Sequence, residues 1–83
     1  MPSEKKNEVS LLVGKRIRSL RQKMGLTMEQ LAFEVGIEYT QLSRIERGII
    51  NTSVYQLFII SRALQVDFAE IVCDLDNVNF HFE

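Results

Sequence analysis

The stretch Gly25–Gly48, GLTMEQLAFEVGIEYTQLSRIERG, decides how this chain folds. Thr27 precedes a run with helical spacing, and Gln30 stands three residues further on. The threonine hydroxyl can accept the Gln30 N–H while the glutamine side chain returns to the Thr27 N–H, a reciprocal arrangement that starts a helix. Leu31, Ala32 and Val35 then share one face, and Gly36 suits the left-handed position that closes such a helix. After a turn at Ile37 the helical period resumes at Tyr39. Leu42 and Ile45 face inward, which leaves Tyr39, Thr40, Gln41, Ser43, Arg44 and Arg47 outward until Gly48 stops the run. The stretch therefore reads as two short helices joined through a glycine turn, the second presenting polar side chains.

Upstream, Val13, Ile17, Leu20 and Met24 are spaced by four, three and four residues and form an amphipathic stripe. Lys15, Arg16, Arg18 and Lys23 occupy the other faces, and the basic residues near the end complement the helix dipole. Gly14 inside the pattern costs about 1 kcal/mol relative to alanine, which points either to the first turn of the helix or to close packing. Gly25 ends this helix. Residues 1–7 are polar and expected to form a flexible tail, with Asn7 or Ser10 as helix caps.

Downstream, Ile49 and Ile50 are expected to cap the core from a loop. Ser53 and Gln56 make a second capping pair, and Leu57, Ile60 and Leu64 form the inward stripe of a fourth helix. Asp67 with Glu70 opens a short fifth helix, Phe68 to about Cys73, that buries some combination of Phe68, Ile71 and Val72. The domain thus spans residues 8–73. In the tail, residues 74–83, Val78, Phe80 and Phe82 alternate with polar residues, a period of two. A lone strand is not stable, so this tail either pairs with a second copy as a dimerisation strand or lies against its own domain. Val54, Tyr55, Phe58 and Ile59 make the remaining faces of the fourth helix unusually apolar, and Tyr55, Phe58 and Ile59 with Val78, Phe80 and Phe82 form the expected dimer interface.

Composition narrows the classes. A chain of 83 residues makes one small domain that buries only about 60–65% of its unfolded surface, so a partner subunit would add useful burial. No apolar run approaches the roughly 18 residues of a membrane span, and the N-terminus lacks the apolar core of a secretory signal; a cytoplasmic protein is expected. Cys73 and His81 are the sole residues of their types, so neither an internal disulfide nor a zinc ligand set is available. There is no nucleophile paired with a base and no phosphate-binding glycine loop, which argues against an enzyme and predicts no metal, cofactor or small-molecule ligand. The net charge of −1 hides an asymmetry: residues 1–48 hold nine basic and six acidic side chains, residues 49–83 one and five. A phosphate-facing front half and a back half of other use fit that division.

With these residues in place, the chain resembles the Cro and phage-repressor type of helix-turn-helix transcription regulators. The resemblance runs from about Val13 to Val72. It is carried by Gly14 to Arg21, Gly25-Leu26-Thr27, Glu29 to Ala32, Gly36-Ile37, Leu42 to Gly48, Leu57, Ala63-Leu64 and Val66-Asp67. It implies an all-α, five-helix domain that binds double-stranded operator DNA, usually as a homodimer on a near-palindromic site. By the same match Tyr39, Thr40, Gln41 and Arg44 would read base edges, and Thr27, Ser43, Arg18, Arg16, Lys15 and Arg47 would contact phosphates. Arg21 and Glu46 would form an inward ion pair between the first and third helices. Two residues depart from the pattern. Met28 stands where a phosphate-contacting glutamine is common, and Glu38 stands where serine or threonine commonly caps the third helix. That helix, near 14 Å long at 1.5 Å per residue, suits a major groove about 12 Å wide. The sequence therefore predicts a DNA-binding regulator, most simply a repressor. The alternative is a protein-interaction module on the same fold, suggested by Met28, Glu38 and the acidic second half.

Overall fold

The computed structural model describes residues 2–75, with side chains from Glu8 onward. Five helices follow in order: α1 (Pro2–Lys23), α2 (Met28–Val35), α3 (Tyr39–Glu46), α4 (Val54–Ala63) and α5 (Ala69–Val72). There is no strand among the described residues, and the fold is all-α as expected. None of the described helices is long and apolar enough to cross a membrane. The segment 76–83, with the alternation of Val78, Phe80 and Phe82, lies outside the described residues.

Each inward stripe meets the others in one core. Helix α1 packs on α3 and α5, α2 packs on α3 and α4, and α4 touches α5. Val13, Ile17, Leu31, Ala32, Leu42, Ile45, Leu57, Ile60, Leu64 and Ile71 are buried, so every helix supplies at least one residue to the cluster. Ile17, Leu31, Leu42, Ile60 and Ile71 are among the side chains sealed completely from solvent. Burying a leucine or isoleucine side chain contributes about 1.5–3 kcal/mol, and this central set holds the three-helix front against the α4–α5 back.

The helix ends follow the sequence where a local signal exists. Thr27 and Gln30 form the reciprocal capping pair at 3.0 and 2.8 Å. Ser53 accepts the Gln56 N–H at 3.0 Å, one half of the expected pair. Helix α1 is longer than expected: it starts at Pro2, ahead of both Asn7 and Ser10. Proline fits the first helical position, where its missing N–H costs no hydrogen bond, and no breaker follows it before Gly14. Ser10 instead donates to the Asn51 side chain at 2.7 Å and ties α1 to the loop before α4. Helix α5 begins one residue late because Phe68, in helical conformation without a side-chain cap, takes the N-cap position.

Two apolar residues expected inside are outside. Met24 is exposed, because α1 ends at Lys23 and the inward position of its last turn belongs to Arg21. Ile49 is also exposed. Gly48, at φ +73°, turns the chain out of α3, and the Gly48 and Ile49 N–H groups donate back to Ile45 and Arg44 carbonyls at 3.1 and 3.0 Å. That closure directs Ile49 to solvent, while Ile50 packs against the core.

Candidate nucleic-acid interface

Helices α2 and α3 are joined by a turn whose geometry Gly36 sets. Its φ is +85°, and the Gly36 and Ile37 N–H groups both donate to Ala32 O, at 2.8 and 3.0 Å. The chain leaves α2, extends through Glu38 at φ −69° and ψ 145°, and enters α3 with the Leu42 N–H on Glu38 O at 3.1 Å. Leu42, Ile45 and Glu46 are the buried residues of α3. Tyr39, Thr40, Arg44 and Arg47 are exposed, and Gln41 and Ser43 are half-buried. The outward polar face is therefore held from beneath by two aliphatic side chains and a carboxylate.

That carboxylate fixes α3 to α1. Arg21 Nε donates to Glu46 Oε2 at 2.7 Å, Nη2 donates to Oε1 at 3.0 Å, and Nη1 donates to Leu26 O at 2.9 Å. Both residues are at least nine-tenths buried, and the two-pronged geometry suits a guanidinium facing a carboxylate. The pair thus joins the first and third helices, and the third donor also anchors the turn into α2. A second constraint lies at Gly14. A Cβ there would sit 2.4 Å from Ile45 O and 2.5 Å from Glu46 O. Of the two readings left open by the sequence, close approach is the one observed: the α1 and α3 backbones meet where no side chain intervenes.

Around this frame the basic residues divide. Arg18, Arg21, Met28, Ser43, Glu46 and Arg47 line one cleft between α1, α2 and α3. Arg47 Nε leans on Ser43, 3.2 Å from its hydroxyl and 3.3 Å from its carbonyl oxygen. Arg18 and Arg47 are exposed and hold free N–H capacity beside the cleft. Thr27, the residue before Met28, is exposed at the start of α2, where its hydroxyl accepts one hydrogen bond and can still donate another. Lys15 is exposed on α1 but does not line the cleft. Arg16 is turned elsewhere. Its Nη1 donates to Ile71 O at 3.2 Å and to Cys73 O, and lies 3.5 Å from Cys73 Sγ. The sequence grouped Arg16 with the phosphate contacts, whereas here it ties α1 to the end of α5. No local signal separates it from Arg18, because the discriminating partner lies 55 residues away.

Both departures noted in the sequence sit in this region. Met28 is half-buried, packs against the core and lines the arginine cleft. Glu38 takes the N-cap position of α3 without a side-chain cap hydrogen bond. The outer surface of α4 is of different character. Val54 and Tyr55 are 71% and 72% exposed and Phe58 44%, Ile59 is half-buried, and Val54, Tyr55, Phe58 and Phe68 line an open groove. The Arg62 guanidinium lies 6.0 Å from the Phe58 ring centroid. No group of metal-ligating side chains occurs among the described residues.

Comparison with known proteins agrees with this geometry. Residues 17–71 match the Helix-turn-helix family HTH_3. The chain is 36% identical over 69 residues to the HTH-type transcriptional regulator y4dJ of Sinorhizobium fredii, covering 83% of this chain and 90% of that one. It is 41% identical over 61 residues to the control protein C.BamHI of Bacillus amyloliquefaciens, covering 72% and 75%. Among solved structures, the restriction-modification controller C.AhdI from Aeromonas hydrophila superposes with a TM-score of 0.73 at 32% identity, over 75% of this chain and 94% of that one. The clp gene regulator ClgR from C. glutamicum gives 0.78 at 26% identity, over 84% and 90%. The family match over residues 17–71, the relatives and the shared helical frame place the chain in the helix-turn-helix family of DNA-binding transcriptional regulators, which are not enzymes.

Proposed function

We propose that this regulator is a cytoplasmic repressor that binds a near-palindromic operator as a homodimer, with α3 of each subunit in a major groove. The observation that carries this reading is the outward face of α3, rigidly mounted on α1 through Arg21 and Glu46. Tyr39, Thr40, Gln41 and Arg44 read base edges. Arg44 pairs with guanine, and Tyr39 and Thr40 touch thymine methyl groups. Arg18, Arg47, Ser43 and Thr27 hold the phosphates, and Lys15 adds charge nearby. Arg18 and Arg47 flank Met28 and supply the anchor that a thioether cannot. Two subunits join through Tyr55, Phe58 and Ile59 on α4, because an apolar surface of this kind on a small domain favours association. The similarity to control proteins of restriction systems supports a role in regulating promoter occupancy.

Selection of binding sites from random duplex DNA, followed by a salt series, tests the reading. Inverted half-sites about one helical turn, near 34 Å, apart are expected. Arg44→Ala should cost about 1–3 kcal/mol at a single base position, whereas Arg18→Ala should weaken all sequences alike. No enrichment at low salt would instead support a protein-interaction module on this fold.

A further inference from the structure

Helices α2, α3 and α4 all begin from an extended N-cap residue with an oxygen-bearing side chain, Thr27, Glu38 and Ser53. Thr27 and Ser53 turn that oxygen onto the N–H three residues ahead, at 3.0 Å in each case. Glu38 has the same backbone conformation and makes no such bond. Among the described residues its carboxylate has no hydrogen-bond or ion-pair partner, and neither Gln41 nor a basic side chain holds it aside. It is exposed beside Tyr39 and Thr40, at the end of α3 that enters the groove in the reading above.

We propose that Glu38 is a specificity-determining residue whose carboxylate accepts the N4 amino group of a cytosine in the major groove. This rests on the DNA-binding reading of α3. A carboxylate on a DNA-facing surface is repelled by phosphates whatever the sequence, so it lowers affinity for every site that offers it no donor. Only cytosine N4 and adenine N6 supply donors on the major-groove edges. Adenine N6 is flanked by acceptors on both sides, its own N7 and the O4 of the paired thymine, which oppose the second carboxylate oxygen. Cytosine N4 has an acceptor on one side alone. Glu38 thereby trades general affinity for discrimination, and the repulsion is relieved at the matching base pair.

The test runs the same site selection on the full chain, on Glu38→Ala and on Glu38→Gln, with circular dichroism confirming that each is folded. The wild type is expected to enrich cytosine at one position in each half-site. Glu38→Ala should lose discrimination there by about 5-fold or more while binding non-specific DNA more tightly. Glu38→Gln should shift the preference at that position towards adenine, whose N6 and N7 match an amide. If the wild type enriches a site and both variants enrich the same one unchanged, Glu38 reads no base and the inference falls while the reading of α3 stands. If the wild type enriches nothing, both fall together.

Discussion

Helix α3 buries Leu42, Ile45 and Glu46, and helix α4 buries Leu57, Ile60 and Ser61. The spacing is the same in both: two aliphatic residues three apart, then a polar residue directly after the second. What the polar residue does differs. Glu46 reaches across to Arg21 on another helix, whereas the Ser61 hydroxyl donates to Phe58 O within its own helix at 2.6 Å. The outer faces differ more. Around α3 lie Tyr39, Thr40 and Arg44; around α4 lie Val54, Tyr55 and Phe58. One inward grammar can thus support two outward surfaces, the first polar and basic, the second largely apolar.

The largest test of this contrast concerns the polar inward residue. Glu46→Ala would leave a buried guanidinium without its partner and should cost about 3–5 kcal/mol, measured by urea denaturation, with loss of DNA binding. A cost below about 1 kcal/mol, typical of surface pairs, would erase the distinction drawn between Glu46 and Ser61. On the α4 side, Tyr55→Ser should leave the fold intact and weaken self-association by about 2 kcal/mol, the scale of an interface anchor. Sedimentation equilibrium reads this, and unchanged association would mean that α4 is not the interface.

Gly14→Ala addresses the mounting of α3 alone. Helix propensity favours alanine by about 1 kcal/mol, but the new methyl would meet backbone oxygens that cannot rotate away. Overpacking costs of about 1–3 kcal/mol should win, so a lowered denaturation midpoint together with weaker DNA binding is expected. A stabilised variant would show that α1 and α3 part freely. The smallest effect lies at the end of α4. Gln65 is left-handed at φ 59°, and Gln65→Gly removes a penalty of about 1–2 kcal/mol while adding unfolded-state entropy of about 0.5–1 kcal/mol. A small rise in thermal midpoint, with DNA affinity unchanged, is the expected outcome.

Much of the front half was legible in the sequence because its signals are local. Thr27 with Gln30, Gly36 and Gly48 each act within one turn of helix, and the aliphatic stripes of α2 and α3 keep a plain period. Periodicity was misleading where a polar residue displaces an apolar one from the inside, although the family resemblance had already turned Arg21 and Glu46 inward. Arg21 occupies the inward turn that periodicity alone assigned to Met24, and only Glu46, far along the chain, makes that burial favourable. Arg16 and Arg18 are alike in pattern, yet one is taken up by carbonyls at the end of α5 and the other stays exposed. Ile49 is apolar and outside because the closure at Gly48 sets its direction before packing can. Pairings over long sequence separations leave no trace in a helical period.

The meeting of backbones at Gly14 has a consequence for how such a protein changes over time. Since α3 is held to α1 by the backbone approach at Gly14 and by Arg21 with Glu46, the exposed side chains of Tyr39, Thr40 and Arg44 take no part in that mounting. If α3 reads DNA as proposed, exchange of Tyr39, Thr40 or Arg44 would alter the sequence that is read and leave the helix where it was. On that reading, a lineage of such proteins would acquire new target sequences one side chain at a time while keeping this frame.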